Sequence, residues 1–357
     1  MRLVFLEGDM SRSGGTERMT AMLANALSKK HVVSILTLHG NENSFFPLES
    51  SVNCLSLQKK HPRKAIRSFI QKNSVDFVVN VDTGMALFGI PASVGTKTKV
   101  ITWEHSNFYN NWGSKWFPYI RRFAAQFSDA VVVLTERDKQ NYEENVSRCN
   151  RVVTIANPVE LHEIKYPIES KIILSAGHLS PIKRFGLIPD IGNLVFVQHP
   201  DWQWHIYGEG LERTLIKEKI SQYGLEKNII LDGSVKSMDE AYCVAAMYVM
   251  TSEMEGLPMV LLEAKSYGLP IVSFDIMTGP AEIVRDGING YLVENGNIAA
   301  MANQICQLIE QPMLRKQFSD ATVLDMNKFD RGEIIAKWEN LFLELKKQTT
   351  VLNEMVR

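Results

Sequence analysis

Glu253-Met-Glu255-Gly256-Leu257-Pro258-Met259-Val-Leu-Leu-Glu263-Ala-Lys-Ser-Tyr-Gly268-Leu-Pro270 decides how this chain is read. It follows an apolar run, Ala246 to Thr251, that reads as a buried strand. Gly256 and Pro258 punctuate the turn, and Met259 to Tyr267 reads as a helix closed by Gly268. Glu263 lies eight residues beyond Glu255. That is about 12 Å along the axis if all of it were helical. A carboxylate can grip two neighbouring hydroxyls, so this spacing suits two sugar rings at the ends of one diphosphate. The N–H groups at the helix start, near Met259 and Val260, would face the phosphates. Spacing alone leaves a second reading open, in which Glu255 caps the helix and Glu263 is solvated.

Working outward, the same strand–turn–helix unit recurs. Arg2 to Leu6, Val32 to Leu38, Asp76 to Val81, Val100 to Trp103, Ala130 to Leu134 and Val152 to Ala156 read as strands in the first half. Ile172 to Ala176, Trp204 to Tyr207, Ile229 to Leu231, Tyr248 to Thr251, Ile271 to Phe274 and Tyr291 to Val293 read as strands in the second. Helical patterns lie between them, so the expectation is α/β, two Rossmann-like domains with parallel sheets facing across a cleft. The expected domains are 1–160 and 161–331, with 332–357 a helix crossing back to the first. Ile335, Trp338, Leu341, Phe342 and Leu345 form the apolar stripe of that helix.

Composition narrows the function classes. The 357 residues exceed one ordinary core, and a net charge of -1 gives no general pull toward nucleic acid. The four cysteines are widely spaced, which reads as reduced thiols in a cytoplasmic protein and offers no metal-ligand pattern. The N-terminus is too short in apolar residues for a signal peptide, and no run approaches the roughly 20 residues that span a bilayer.

Ligands of wound sheets bind beyond the strands' carboxyl ends. Candidates stand at those places. Gly14-Gly15 follows the first strand, Trp103-Glu104-His105-Ser106-Asn107 a later one, and Gly177-His178-Leu179-Ser180-Pro181-Ile182-Lys183-Arg184 opens the second half. Gly208-Glu209-Gly210 follows another strand. Lys183 and Arg184 can meet a diphosphate without a metal. Each of these also reads blandly, as a tight turn, a structural histidine or a solvated loop.

Together the motifs resemble the retaining nucleotide-sugar glycosyltransferases of family four, with the GT-B fold. The resemblance is carried by Gly14-Gly15-x-Glu17-Arg18, Glu104-His105-Ser106-Asn107, Gly177-x5-Lys183 and Gly208-Glu209-Gly210. It is carried further by Glu255-Gly256-Leu257-Pro258-x4-Glu263-Ala264 and Gly279-Pro280-x-Glu282-Ile283-Val284-x-Asp286-Gly287-x-Asn289-Gly290. It implies that Glu255 holds the donor sugar together with the stretch that follows it, Gly256, Leu257, Pro258 and Met259, whose backbone amides other than proline's can donate. Glu263 would bind the ribose, Lys183 the departing diphosphate with help from Gly15, and His105 the sugar near its reacting carbon. Gly208, His178 and Arg184 complete the implied donor site. His178 stands where the family usually has arginine. No Asp-x-Asp occurs, so a metal is not expected, nor a cofactor beyond the donor itself. Retention is implied, with the diphosphate oxygen deprotonating the acceptor on the same face. Thr278 before Gly279-Pro280 recurs in family members that use UDP-hexoses and UDP-N-acetylhexosamines.

The expected enzyme is therefore a retaining, metal-independent hexosyltransferase moving a hexose or N-acetylhexosamine from a UDP-sugar. The implied acceptor is a lipid-linked, lipopolysaccharide or capsule glycan. Gln58 to Arg67 is basic, and Phe108 to Phe123 sets Trp112, Trp116, Phe117 and Tyr119 beside Lys115, Arg121 and Arg122. Both suit an anionic membrane surface. The competing readings are a non-catalytic nucleotide-sugar-binding protein, and an epimerase or phosphorylase of the same two-lobed shape.

Overall fold

The computed structural model describes residues 1–40, 42–57 and 61–355. The chain divides into two compact units, Met1–Asn157 with Arg331–Arg357, and Pro158–Asp330.

The first unit is built on strands β1 (Arg2–Glu7), β2 (Val32–Thr37), β3 (Val52–Ser56), β4 (Phe77–Val81), β5 (Lys99–Trp103), β6 (Ala130–Val133) and β7 (Val152–Thr154). They form one parallel sheet in the order β3-β2-β1-β4-β5-β6-β7. Helices α1 (Gly15–Ser28), α2 (Pro62–Asn73), α3 (Ala86–Ser93), α4 (Phe117–Phe127) and α5 (Glu136–Asn145) connect the strands. A parallel pair needs such crossovers, which cover both faces and explain why β4 and β6 are buried at every position. The edge strand β3 went unrecognised in the sequence, because Val52-Asn-Cys-Leu-Ser56 is short, mixed and mostly part-exposed.

The second unit repeats the scheme with β8 (Ile172–Ala176), β9 (Gln203–Tyr207), β10 (Ile229–Gly233), β11 (Met247–Met250), β12 (Ile271–Asp275) and β13 (Gly290–Glu294). Their order is β10-β9-β8-β11-β12-β13. The helices are α6 (Ile188–Phe196), α7 (Arg213–Gln222), α8 (Asp239–Val244), α9 (Met259–Ser266), α10 (Pro280–Ile283), α11 (Ile298–Glu310) and α12 (Pro312–Ala321). Each sheet therefore reverses its winding beside its first strand, between β1 and β4 and between β8 and β11. At such a switch point the loops diverge and leave a crevice.

The last helix, α13 (Arg331–Met355), belongs to the first unit. Ile334, Trp338, Leu341, Phe342 and Leu345 are its buried side chains. The stripe is thus one residue out at its start, with Ile334 inward where the sequence pointed to Ile335; the spacing four, three, four keeps one helical face. Trp338 packs edge-on to Trp103 at 5.1 Å, and Phe342 lies 4.9 Å from Phe77. Among the described residues no helix is long and apolar enough to cross a membrane.

Candidate functional site

In the second unit the organising stretch folds as β11, an irregular loop from Thr251 to Leu257, and α9. Pro258 sits at the N-cap of α9 and gives it no side-chain cap, so the helix start keeps amide donors directed outward. Pro258 also presets the chain direction at the helix start. At the other end Gly268, at φ 80°, closes the helix, with the Leu269 amide bonding Ala264 O at 3.0 Å. Glu263 is on α9, whereas Glu255 stands before it, so the two are not on one helix.

The Glu255 loop is tied to the loop that carries Lys183. The amide of Glu253 bonds Ile182 O at 2.8 Å, and the Thr251 hydroxyl donates to Lys183 O at 2.9 Å. Across this seam Lys183 Nζ meets Glu255 Oε1 at 2.5 Å. Both side chains are largely buried, in a setting where charge pairs are stronger than in water. The Thr278 hydroxyl donates to Glu255 O at 2.6 Å from a third loop. Gly279, at φ 101°, lets that loop pass; a Cβ there would stand 2.8 Å from Gly256 O.

The loops after β8 and β9 keep pairing beyond their strands. The amide of Gly177 bonds Tyr207 O at 2.9 Å, and that of Leu179 bonds Glu209 O at 2.9 Å. A Cβ on Gly208 would lie 1.9 Å from Gly177 O, and one on Gly210 2.3 Å from Leu179 O. The Gly-Glu-Gly signature is therefore a demand of backbone on backbone. Where pairing of β8 with β11 stops at Tyr248↔Leu174, the Tyr248 phenol takes over. It accepts from the Ala176 amide at 2.9 Å and donates to Ala176 O at 3.0 Å. This buried phenol lies close to both Glu255 and Glu263, and burial raises its pKa.

His178 is exposed on this loop. Arg184 turns away from Lys183: its guanidinium holds Asn295 Oδ1 at 2.9 Å and Glu253 Oε1 at 2.9 Å. Glu263 accepts from the buried Tyr242 hydroxyl at 3.0 Å.

In the first unit the carboxyl ends of the middle strands are occupied by side chains. Glu7 ends β1, Asp82 follows β4 and Glu104 follows β5. Glu104 is fully buried. Its carboxylate takes the Thr83 hydroxyl, the Tyr142 hydroxyl at 3.2 Å and the Ser106 amide at 3.1 Å. The Arg121 guanidinium, equally buried, stands 3.7 Å away. Burial pushes the Glu7 carboxyl up to about 7. Burial and then the neighbouring Glu104 push Asp82 up to about 8. Asp82 also sits at φ 70°, a conformation that side chains other than glycine seldom adopt. Burial and nearby like charge thus favour the neutral acid at Glu7 and at Asp82.

The His105 ring lies against Trp103, with centroids 4.1 Å apart and planes tilted by 49°, and its Nε2 is buried without a hydrogen-bond partner. Burial lowers its pKa to about 3, so the ring is neutral. The two glycines before α1 differ. A Cβ on Gly14 would strike the Glu17 carboxylate at 2.3 Å, whereas Gly15 opens on empty space. Glu17 thus lies over the N-terminal turn, and Gly15 alone keeps the open approach expected of the pair.

Of the membrane-facing expectation, Gln58, Lys59 and Lys60 lie outside the described residues. Arg67 is bound to Ala92 O and Val94 O, and Arg63 lies over the Phe88 ring at 5.9 Å, so both brace α3. Arg121, grouped by sequence with the surface cations, is a core residue that pins the 107–111 loop through Asn110 O at 2.6 Å and Asn111 Oδ1 at 3.1 Å. Trp112, Trp116 and Tyr119 do stand exposed. Sequence reasoning gave no role to Glu7, Asp82, Tyr242 or Tyr248. The available signal was an acidic residue at the end of an apolar strand for the first two, and none for the tyrosines.

Comparison with known proteins adds an independent line. Residues 160–323 match the family described as glycosyl transferases group 1, and residues 13–163 match glycosyltransferase family 4. The chain is 30% identical over 353 residues to an uncharacterized glycosyltransferase of Haemophilus influenzae, covering 95% of this chain and 99% of that one. It is 27% identical to a Campylobacter jejuni α-1,4-N-acetyl-D-galactosaminyltransferase named for an undecaprenol-diphosphate-linked GalNAc acceptor, over 97% of this chain and 99% of that one. Among solved structures, Anabaena HepE in complex with UDP and glucose superposes with a TM-score of 0.81 at 16% identity, over 96% of this chain and 100% of that chain. That likeness shows the GT-B fold.

Proposed function

The chain belongs to the group 1 and family 4 glycosyltransferases, and from that premise we propose that it is a retaining hexosyltransferase using a UDP-sugar and no metal. The observation that carries the reading is the Lys183–Glu255 pair, 2.5 Å apart at the switch point of the second sheet and beside the start of α9. Each partner has a natural replacement in a nucleotide sugar. The diphosphate takes over the ammonium of Lys183, and the sugar hydroxyls take over the carboxylate of Glu255. The outward amides of Met259 and Val260 face the same phosphates. Glu263, further along α9, takes the ribose hydroxyls.

The chemistry follows from where charge develops. The transition state is oxocarbenium-like, and negative charge grows on the leaving diphosphate. A fixed ammonium and fixed amides stabilise that charge without reorganising. The diphosphate oxygen then removes the acceptor proton on the same face, which retains the anomeric configuration. The family resemblance further assigns His105, whose ring is neutral, to the sugar near its reacting carbon, and the Gly15 amide to the diphosphate. His178 and the Gly208 loop border the nucleotide. Arg184, spent on Glu253 and Asn295, braces the Lys183 loop and acts on the donor through it. The first unit receives the acceptor, a glycan on a lipid diphosphate carrier at the cytoplasmic membrane face. Exposed Trp112, Trp116 and Tyr119 suit contact with that membrane.

A panel of nucleotide sugars, scored by released nucleotide with lipid-linked glycan acceptors and EDTA present, tests this. The expected result is UDP release from one UDP-sugar and an α-linked product seen by NMR. Binding of a nucleotide sugar without turnover on any acceptor would favour the non-catalytic reading instead. Replacing Trp112, Trp116 and Tyr119 by Ser is expected to weaken binding to anionic vesicles, and unchanged binding removes the membrane contact.

A further inference from the structure

Glu263 is not held by its own helix alone. The hydroxyl of Tyr242, on α8, donates to Glu263 Oε2 at 3.0 Å. Tyr242 is only 2% exposed, so its bond to the carboxylate is largely shielded from water on the phenol's side. The ring itself is clamped. Tyr267, at the end of α9, stacks on it with centroids 5.2 Å apart and planes at 18°. On the far side of Tyr267 lies His162, stacked at 4.1 Å and 23°. The Tyr267 hydroxyl donates to Asp239 Oδ1 at 2.7 Å, and Asp239 opens the helix that carries Tyr242. The two helices are thus cross-linked twice, by Tyr242 to Glu263 and by Tyr267 to Asp239. The two bonds run in opposite senses, each phenol reaching the other helix's carboxylate.

We propose that Tyr242 is a positioning residue for Glu263, its buried phenol fixing the carboxylate plane so that the acid meets a vicinal diol already oriented. The inference rests on the reading that Glu263 binds ribose, and it deepens that reading. A glutamate side chain on a helix surface samples several rotamers and loses that freedom on binding. A donor on one carboxylate oxygen removes the freedom beforehand, which is the general route by which pre-organisation strengthens binding. The bond also sets which way the lone pairs point, and a diol is recognised by two hydrogen bonds of defined direction. Tyr242 acts through Glu263 and touches no ligand in this scheme.

The test titrates two probes, UDP and 2′,3′-dideoxy-UDP, against the unaltered protein, Tyr242→Phe and Glu263→Gln. Phenylalanine keeps the ring in its stack, and thermal unfolding of each variant is recorded alongside. The unaltered protein is expected to prefer UDP by about tenfold or more, and Glu263→Gln to erase that preference. Tyr242→Phe is expected to weaken UDP by roughly threefold to tenfold while leaving dideoxy-UDP unchanged. It is further expected to raise KM for the donor and spare kcat, since the ribose is bound alike in ground and transition states. If Tyr242→Phe binds UDP as tightly as the unaltered protein, while Glu263→Gln does not, Tyr242 merely packs and the inference is lost. Equal weakening of both probes by Tyr242→Phe also overturns it, because that is the mark of general damage. If Glu263→Gln itself leaves the preference for UDP intact, the ribose assignment has failed, whatever Tyr242 does.

Discussion

At the carboxyl end of the first sheet, Glu7, Asp82 and Glu104 surround the switch point, Glu7 bonded to Thr20, Asp82 to Glu104, and Glu104 to Thr83 and Tyr142. At the same end of the second sheet stand Gly177, Gly208 and Gly210, with backbone packed on backbone and the Lys183–Glu255 ion pair beside them. The winding is the same, and in each unit's own count the strands run 3-2-1-4-5-6, with a seventh added at the end of the first sheet. The wound topology therefore supplies a crevice in both places, but it does not say how the crevice is used. A crevice floored by buried acids already hydrogen-bonded to their neighbours has little to offer a ligand. One bordered by close-packed glycine loops and an exchangeable ion pair can hand that pair's partners to a ligand.

Substituting the glycines breaks this comparison most severely. Gly208→Ala is expected to destabilise the second unit by about 3–5 kcal/mol, from a strained φ of 139° and a methyl driven into Gly177 O. Gly15→Ala, with open space before it, is expected to leave stability nearly unchanged. Urea unfolding of the two variants separates them, and a tolerated Gly208→Ala would mean that the close approach is not required.

Lys183→Ala comes next. Loss of one fixed donor aimed at developing negative charge is expected to lower turnover by roughly 10²–10³-fold. Glu255→Gln is expected to lower turnover more than nucleotide affinity, because its partner is the transferred sugar. Initial rates at saturating donor, beside titration of free nucleotide, measure both. Normal turnover in Lys183→Ala would put the second switch point on the same footing as the first, a structural floor only.

The smallest effect sharpens the description of that floor. Glu7 has a folded pKa raised to about 7 from an ordinary 4.5, mainly by burial. A carboxyl raised in the folded state contributes stability that is complete below its unfolded value and is lost as pH rises through the folded value. The window for Glu7 is therefore about pH 4.5 to 7. Glu7→Gln removes the titration, so the variant is expected to gain on the unaltered protein by roughly 1–3 kcal/mol between pH 5 and pH 8. Denaturant melts at the two pH values check it. A constant difference would show that Glu7 carries its charge in the folded protein.

Much of the site was legible because its rules are local. Gly268 closes a helix by its left-handed φ, and Pro258 opens one, whatever surrounds them. Trp338, Phe342 and Leu345 declare a buried stripe by spacing alone. The cation at Lys183 and the acids at Glu255 and Glu263 were found from strand–turn–helix position. Arg121 and Arg184 show the limit. Sequence sorts an arginine by its neighbours in the chain, and both of these are engaged by partners brought in by folding, Glu104 for one and Glu253 with Asn295 for the other.

The sequence by itself thus determined the alternation of strands and helices, the parallel sheets that alternation compels, and which residues reach the strand ends. Those outcomes depend on periodicity and on the backbone freedom of glycine and proline, which are properties of a few consecutive residues. Only the tertiary structure decided which acids are buried enough to favour their neutral form, which cations are spent on the scaffold, and which tyrosine holds Glu263. Tyr242 and Glu263 are twenty-one residues apart and sit on different helices. Glu7 lies seventy-five residues before Asp82 and ninety-seven before Glu104. Electrostatic coupling and hydrogen bonding depend on distance in space and on exclusion of water, and the order of residues along the chain fixes neither until the sheet has closed around them.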